Sequence, residues 1–208
     1  RTADAKVAYE KALALNPGSS AILSNLGAMA KEVGDCESAV QYFERALAIE
    51  PNLTEAQINL GAALQELGRS EEAEASYRHA IALKPDYAEA HSNLGNMLQE
   101  LGRLDEAEAS YRHAIALKPD YTEASLNLCE FLYKTNAIDK LLIVLGEASS
   151  LTNTRKADLL LYEALASFQK EGYAEASTFL TQITEHELSE KRRAYYHKLK
   201  GDIRHRQH

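Results

Sequence analysis

The sequence predicts an all-α protein, a right-handed α–α superhelix made by stacking helix-turn-helix repeats. Three observations carry this expectation. The only prolines, Pro17, Pro51, Pro85 and Pro119, stand 34 residues apart, and a fixed period of this size marks a repeat architecture. Small and aromatic residues keep the same step: Gly27, Gly61 and Gly95; Gly34, Gly68 and Gly102; Ala39, Ala73 and Ala107; Ala46, Ala80 and Ala114; Tyr9, Phe43, Tyr77 and Tyr111. Within each period the apolar spacing is helical, with no strand alternation. Segments 54–87 and 88–121 agree at 27 of 34 positions, the mark of internal duplication, so a reading of one serves for both.

Residues 1–19 read as the second half of a repeat, closed by Pro17. Residues 20–53, 54–87 and 88–121 are regular repeats. In 88–121, Ala90, Leu94, Leu98 and Leu101 form one stripe, and Ala107, Tyr111, Ala114 and Ile115 another, placing helices near 88–101 and 105–118. Gly102 can take the left-handed backbone that ends the first helix. Asp105 and Glu106 stand at the positive end of the second. Pro119 stops the repeat, because proline cannot continue a helix and disfavours it one residue earlier. Gly95 and Ala107 are small enough for two backbones to approach, with Tyr111 and Leu98 on the flanks. One hairpin cannot bury both stripes, so neighbours must stack.

The pattern then decays. In 122–155 the packing glycine becomes Cys129, the turn glycine Asn136, the aromatic Leu145, and Asn153 stands where proline would fall. Asparagine tolerates the left-handed turn. In 156–191, Leu161, Leu165 and Phe168 mark a first helix, Gly172 a turn one residue short, and Ala176, Phe179, Leu180 and Ile183 a second helix. Residues 192–208 read as a further half repeat, helical over 192–206, with Gly201 in the place of Gly95. The whole of 1–208 is expected to be one solenoid. Both ends fall inside a repeat, so the chain reads as part of a longer protein, with self-association through the terminal helices a further expectation.

The phrase L-G…A-x3-[FY]-x2-A…P occurs as Leu26-Gly27, Ala39, Phe43, Ala46, Pro51; as Leu60-Gly61, Ala73, Tyr77, Ala80, Pro85; and as Leu94-Gly95, Ala107, Tyr111, Ala114, Pro119. In this it resembles the tetratricopeptide repeat (TPR) family. Two departures stand out. The family's tryptophan is replaced by Leu23, Gln57, His91 and Ser125, and the first helix's tyrosine by Ala30, Leu64, Leu98 and Leu132. The resemblance implies that first helices line a concave groove open to a peptide. On that face stand Asn25, Asn59, Asn93 and Asn127 at the sixth repeat position, Glu55 and Glu89 at the second, Asn96 at the ninth, and Gln65 and Gln99 at the twelfth.

An asparagine ladder can pair with both N–H and C=O of an extended peptide, largely regardless of its sequence. The alternative is that each amide bonds a neighbouring helix. The ladder is similar to the peptide-binding superhelix of O-linked N-acetylglucosamine transferases. A carboxylate clamp of the chaperone-binding kind is not expected, since Ser24, Glu89 and Asn93 occupy its basic positions. The glutamates favour a neutral or basic partner segment, or else form a solvated face.

Composition narrows the function. The net charge is −8, with +4 over 187–208 and therefore −12 over the rest, which argues against a nucleic-acid surface. No apolar run nears the roughly 20 residues of a membrane span, and no signal-like stretch opens the chain. Cys36 and Cys129 lie 93 residues apart and read as reduced thiols; the expected location is cytoplasmic. No catalytic or metal constellation is legible, so no enzyme activity and no cofactor are expected. His79 and His113 are the repeat pattern recurring, His197, His205 and His208 lack regular ligand spacing, and Lys191-Arg192-Arg193 reads as a solvated helix start. The expected role is a protein-interaction module binding a peptide segment of a partner. The alternative is the recognition arm of a larger enzyme, a glycosyltransferase or sulfotransferase.

Overall fold

The computed structural model describes residues 2–149 and 156–206, and Asn153 lies outside them. Twelve α-helices are placed among the described residues: α1 Thr2–Leu15, α2 Ser20–Glu32, α3 Cys36–Ile49, α4 Thr54–Glu66, α5 Ser70–Leu83, α6 Ala88–Glu100, α7 Leu104–Leu117, α8 Thr122–Lys134, α9 Ile138–Ser149, α10 Lys156–Gln169, α11 Tyr173–Thr181 and α12 Glu190–Arg206. One short 3₁₀ turn, Glu185–Glu187, precedes α12, and no strand is present among these residues. The chain divides into two compact units, 1–110 and 111–208, with the boundary inside α7.

In unit 1 the hairpins α2–α3 and α4–α5 form, and α3 packs on α4 and α5 on α6. The repeated alanines vanish from solvent: Ala39, Ala46, Ala73 and Ala80 are fully buried. The packing glycines have a more specific reason than general closeness. A methyl group built on Gly27 would stand 2.8 Å from the Phe43 ring, and one on Gly61 2.8 Å from the Tyr77 ring. Each second helix thus seats its aromatic ring on the bare backbone of the first. Phe43 and Tyr77 are in consequence almost wholly buried, where rings of this size dominate core energetics.

The turns share one device. Asp35, Arg69, Arg103, Ala137 and Gly172 each donate their backbone N–H to the carbonyl five residues earlier, at 2.8–2.9 Å. The residue before each has positive φ: Gly34, Gly68, Gly102, Asn136 and Glu171. This is the helix-ending motif in which a left-handed residue lets two orphan carbonyls be satisfied. The fifth case corrects the sequence expectation. Glu171, at φ 62°, takes the left-handed place, and Gly172 does not (φ −81°). The turn is therefore of full length. Gly172 is glycine for a different reason, since a Cβ there would lie 3.2 Å from the Ser167 carbonyl oxygen.

In unit 2, α8 packs on α9 and α10, α10 on α9 and α11, and α12 on α10 and α11. The decayed positions exchange volume. Cys129 replaces glycine and Leu145 replaces the ring, and both are buried. Burial pushes the Cys129 thiol up to about 12, so it is an inert packing group. Tyr111 rests at 5.9 Å from the Phe131 ring. Gly201, expected to repeat the role of Gly95, meets no atom within 4 Å of a built Cβ.

Two stability measurements follow. Gly61→Ala forces the Tyr77 ring off its seat and should cost about 1–3 kcal/mol in urea unfolding, whereas Gly18→Ala, in open space, should not show this loss. Glu171→Gly removes a strained left-handed side chain and should gain up to about 1 kcal/mol, read as a higher urea midpoint.

Candidate peptide-binding surface

The first helices of unit 1 touch in series, α2 on α4 and α4 on α6, and their solvent-facing side holds most of the sequence-selected residues. Asn25 on α2 is exposed, while Asn59 on α4 and Asn93 on α6 are half-buried. Glu55, Ile58 and Asn59 from α4 meet Tyr87 and Glu89 from the start of α6 around a cavity of about 170 Å³. Three selected residues, Glu55, Asn59 and Glu89, are thus brought together. Ile58 closes the cavity from the core side, being 3% exposed.

The Asn59 carbonyl oxygen accepts from the Lys31 ammonium at 3.3 Å. Lys84 lies over the Tyr87 ring at 4.6 Å from the centroid, a cation–π contact. Burial first, and then the charges of Glu89 and Glu55, push the Tyr87 phenol up. The Gln65 amide is committed elsewhere: its nitrogen donates to Glu100 at 2.7 Å, and its oxygen accepts from the Tyr77 hydroxyl at 3.1 Å. Gln65 therefore acts as a strut between the buried ring and α6. Asn96 and Gln99 are half-buried and engaged with other groups of the chain. Glu66 accepts from the Cys36 thiol at 3.0 Å, which together with burial raises that thiol to about 11.

Tyr87 escaped the sequence reading. Its signal was present, because Lys84-Pro85-Asp86-Tyr87 recurs 34 residues on as Lys118-Pro119-Asp120-Tyr121. In unit 2 the repeat places Lys118 over the Tyr121 ring at 5.7 Å.

The second helices of unit 1 carry a different electrostatic pattern. Arg69 grips Glu72 with two hydrogen bonds of 2.6 and 2.7 Å, and Arg103 grips Glu106 in the same way. Arg103 also reaches back one repeat to both oxygens of Glu74, at 2.7 and 2.8 Å. Arg78 adds bonds to Glu74 and Glu106. Burial alone would raise the Glu74 carboxyl, but its hydrogen bonds from Arg78 and Arg103 outweigh that and hold it below the ordinary range.

Unit 2 offers a different wall. Asn127 is half-buried and engaged. Glu130, at the repeat position of Asn96, is 6% exposed and paired at 2.7 Å with both Lys134 and Lys191. Those lysines overcome its burial and keep its carboxyl low. The Lys191-Arg192-Arg193 run is not simply solvated. Arg192 is 7% exposed, lies 3.5 Å from Asp158 and 5.9 Å over the Tyr162 ring. Tyr133 meets Tyr195 edge-on at 6.0 Å, so α12 fills space beside α8 and α10.

Among the described residues no group of three or more His, Cys, Asp or Glu is placed to hold a metal ion, and no helix is long and apolar enough to cross a membrane.

Stacked helical hairpins with a polar first-helix face define a helical-repeat interaction scaffold. The chain belongs to the tetratricopeptide repeat family: two family profiles, both described as tetratricopeptide repeat, match residues 20–49 and 58–133. No curated protein sequence matches it. Among solved structures it is similar to PilW, described as a widely conserved type IV pilus biogenesis factor (TM-score 0.78, 22% identity, covering 87% of this chain and 84% of that one). It is similar also to PilF of Pseudomonas aeruginosa (TM-score 0.77, 20% identity, 97% and 90% covered). A third is YrrB, described as a TPR protein with an unusual peptide-binding site (TM-score 0.64, 20% identity, 84% and 89% covered).

The buried Asp158–Arg192 pair gives a test of how α12 is held. Arg192→Met removes the cation 3.5 Å from buried Asp158 and should cost about 3–5 kcal/mol, and the double change Asp158→Leu/Arg192→Met should cost clearly less. Urea unfolding of the full chain measures both.

Proposed function

We propose that the chain is a protein-interaction module that takes an extended, neutral to basic peptide segment of a partner along the first helices α2, α4 and α6. The observation that carries this reading is the convergence of Glu55, Asn59 and Glu89, two repeats' worth of selected residues, on one cavity. Asn25, Asn59 and Asn93 stand one per repeat, each an amide able to donate and accept. With the Asn59 oxygen held by Lys31, its NH2 is the group that meets a peptide carbonyl. Each such bond contributes about 0.5–1.5 kcal/mol net, so binding needs several rungs. Gln65 and Gln99 serve this wall as supports, Gln65 through its bond to Glu100. YrrB, of the same fold, is described as having a peptide-binding site, which supports the architecture as a peptide receptor.

The double change Asn59→Ala/Asn93→Ala should weaken the full chain's binding to its best ligands from an immobilised peptide library about 5- to 100-fold, with helicity by circular dichroism unchanged. Equal binding by the parent and the variant rejects the first-helix face as the peptide site.

A further inference from the structure

The carboxylates of unit 1 are compensated unequally. On the second helices, Glu72, Glu74 and Glu106 are each held by arginine. On the first helices, Glu66 takes the Cys36 thiol and Glu100 the Gln65 amide. Among the described residues no lysine or arginine of this chain pairs with Glu55 or Glu89. Yet these two acids share a concave site with an aromatic ring and an amide. Its lining groups also show what they attract: one ammonium of the chain sits over the Tyr87 ring and another on the Asn59 oxygen. Burial pushes the Tyr87 phenol up, and the negative charges of Glu89 and Glu55 add to that push.

We propose, resting on the peptide-binding reading above, that the cavity formed by Glu55, Ile58, Asn59, Tyr87 and Glu89 is the subsite for one cationic side chain of the partner, arginine in preference to lysine. At about 170 Å³ it lies well below the roughly 300–1,000 Å³ of small-molecule sites, which suits one side chain. Arginine is planar, weakly hydrated and able to stack on an aromatic face while pairing with carboxylates through its fork of N–H groups. Its stem lies against Ile58, its guanidinium stacks on Tyr87 and donates to Glu55 and Glu89, and the Asn59 NH2 takes the adjoining backbone carbonyl.

The test uses N-acetyl-arginine amide as probe, titrated into the ¹⁵N-labelled chain and followed by nuclear magnetic resonance, with N-acetyl-norleucine amide as the uncharged control. The arginine probe should shift the Asn59 side-chain NH2 and the Tyr87 and Glu89 backbone amides, and the control should not. Glu55→Gln/Glu89→Gln should weaken the probe about tenfold with circular dichroism unchanged; both residues are exposed, so folding is not at stake. Equal shifts with the control, or equal affinity in the double variant, overturn the subsite. Library peptides that depend on Asn59 and Asn93 but are indifferent to arginine and to the two glutamates would sink the subsite and leave the peptide-binding reading standing. Arginine binding that needs the glutamates, with no library peptide bound, would do the reverse.

Discussion

The first unit rests on one contact, an aromatic ring seated against backbone that carries no side chain. Phe43 on Gly27 and Tyr77 on Gly61 leave no room for even a methyl group. The contact sets the distance between the two helices of a hairpin, and through that distance the rotation of each helix about its axis. Once Leu60, Gly61 and Leu64 of α4 are turned toward the core, helical geometry leaves Glu55 and Asn59 on the other side. Tyr77 adds a second constraint, because its buried hydroxyl finds its partner in Gln65, which in turn bonds α6. A hydrophobic seat and a hydrogen-bonded strut therefore join three helices through one side chain.

The first and second helices of the first unit differ in how some of their carboxylates are paired. At the second helices, arginines pair with Glu72, Glu74 and Glu106, both within a helix and from one repeat to the next. Such networks hold neighbours in register, although exposed pairs contribute little singly. The capping position shows the trade. Asp35 caps α3 with its side chain at 3.2 Å from the Ser38 N–H, whereas Arg69, in the same register, makes no cap bond and grips Glu72 instead. The first helices keep Glu55 and Glu89 without such partners.

The second unit shows what happens when the repeat decays without losing its helices. Cys129 adds bulk where the regular repeats have glycine and Leu145 removes some where they have a ring, and both are buried. The turn survives as Asn136 and then as Glu171, because the backbone bond it secures, not the glycine itself, is what a hairpin needs. Polar burial takes over from repetition. Glu130, Asp158 and Arg192 are each under 10% exposed, and each charge is answered by another, as burial of ions requires. Of the basic run at the start of α12, Arg192 is buried in this packing and Lys191 pairs with Glu130 from the exposed side.

Periodicity placed the helices of the regular repeats, their glycine turns and most of their buried stripes, since a 34-residue stride repeats every local signal at once; it misplaced the turn at Glu171 and the exposed Leu101. The residues of the first-helix face were legible for the same reason: helical rotation assigns Glu55, Asn59 and Glu89 to one side. What a linear pattern does not carry is contact between different repeats. That Tyr87, at the end of one repeat, closes a cavity against α4, that Lys31 claims the Asn59 oxygen, that Gln65 is spent as a strut, and that Arg192 is buried against Asp158 were decided by tertiary packing. Each depends on side chains from different helices meeting in space, at distances of a few ångströms that stacking sets and sequence spacing does not.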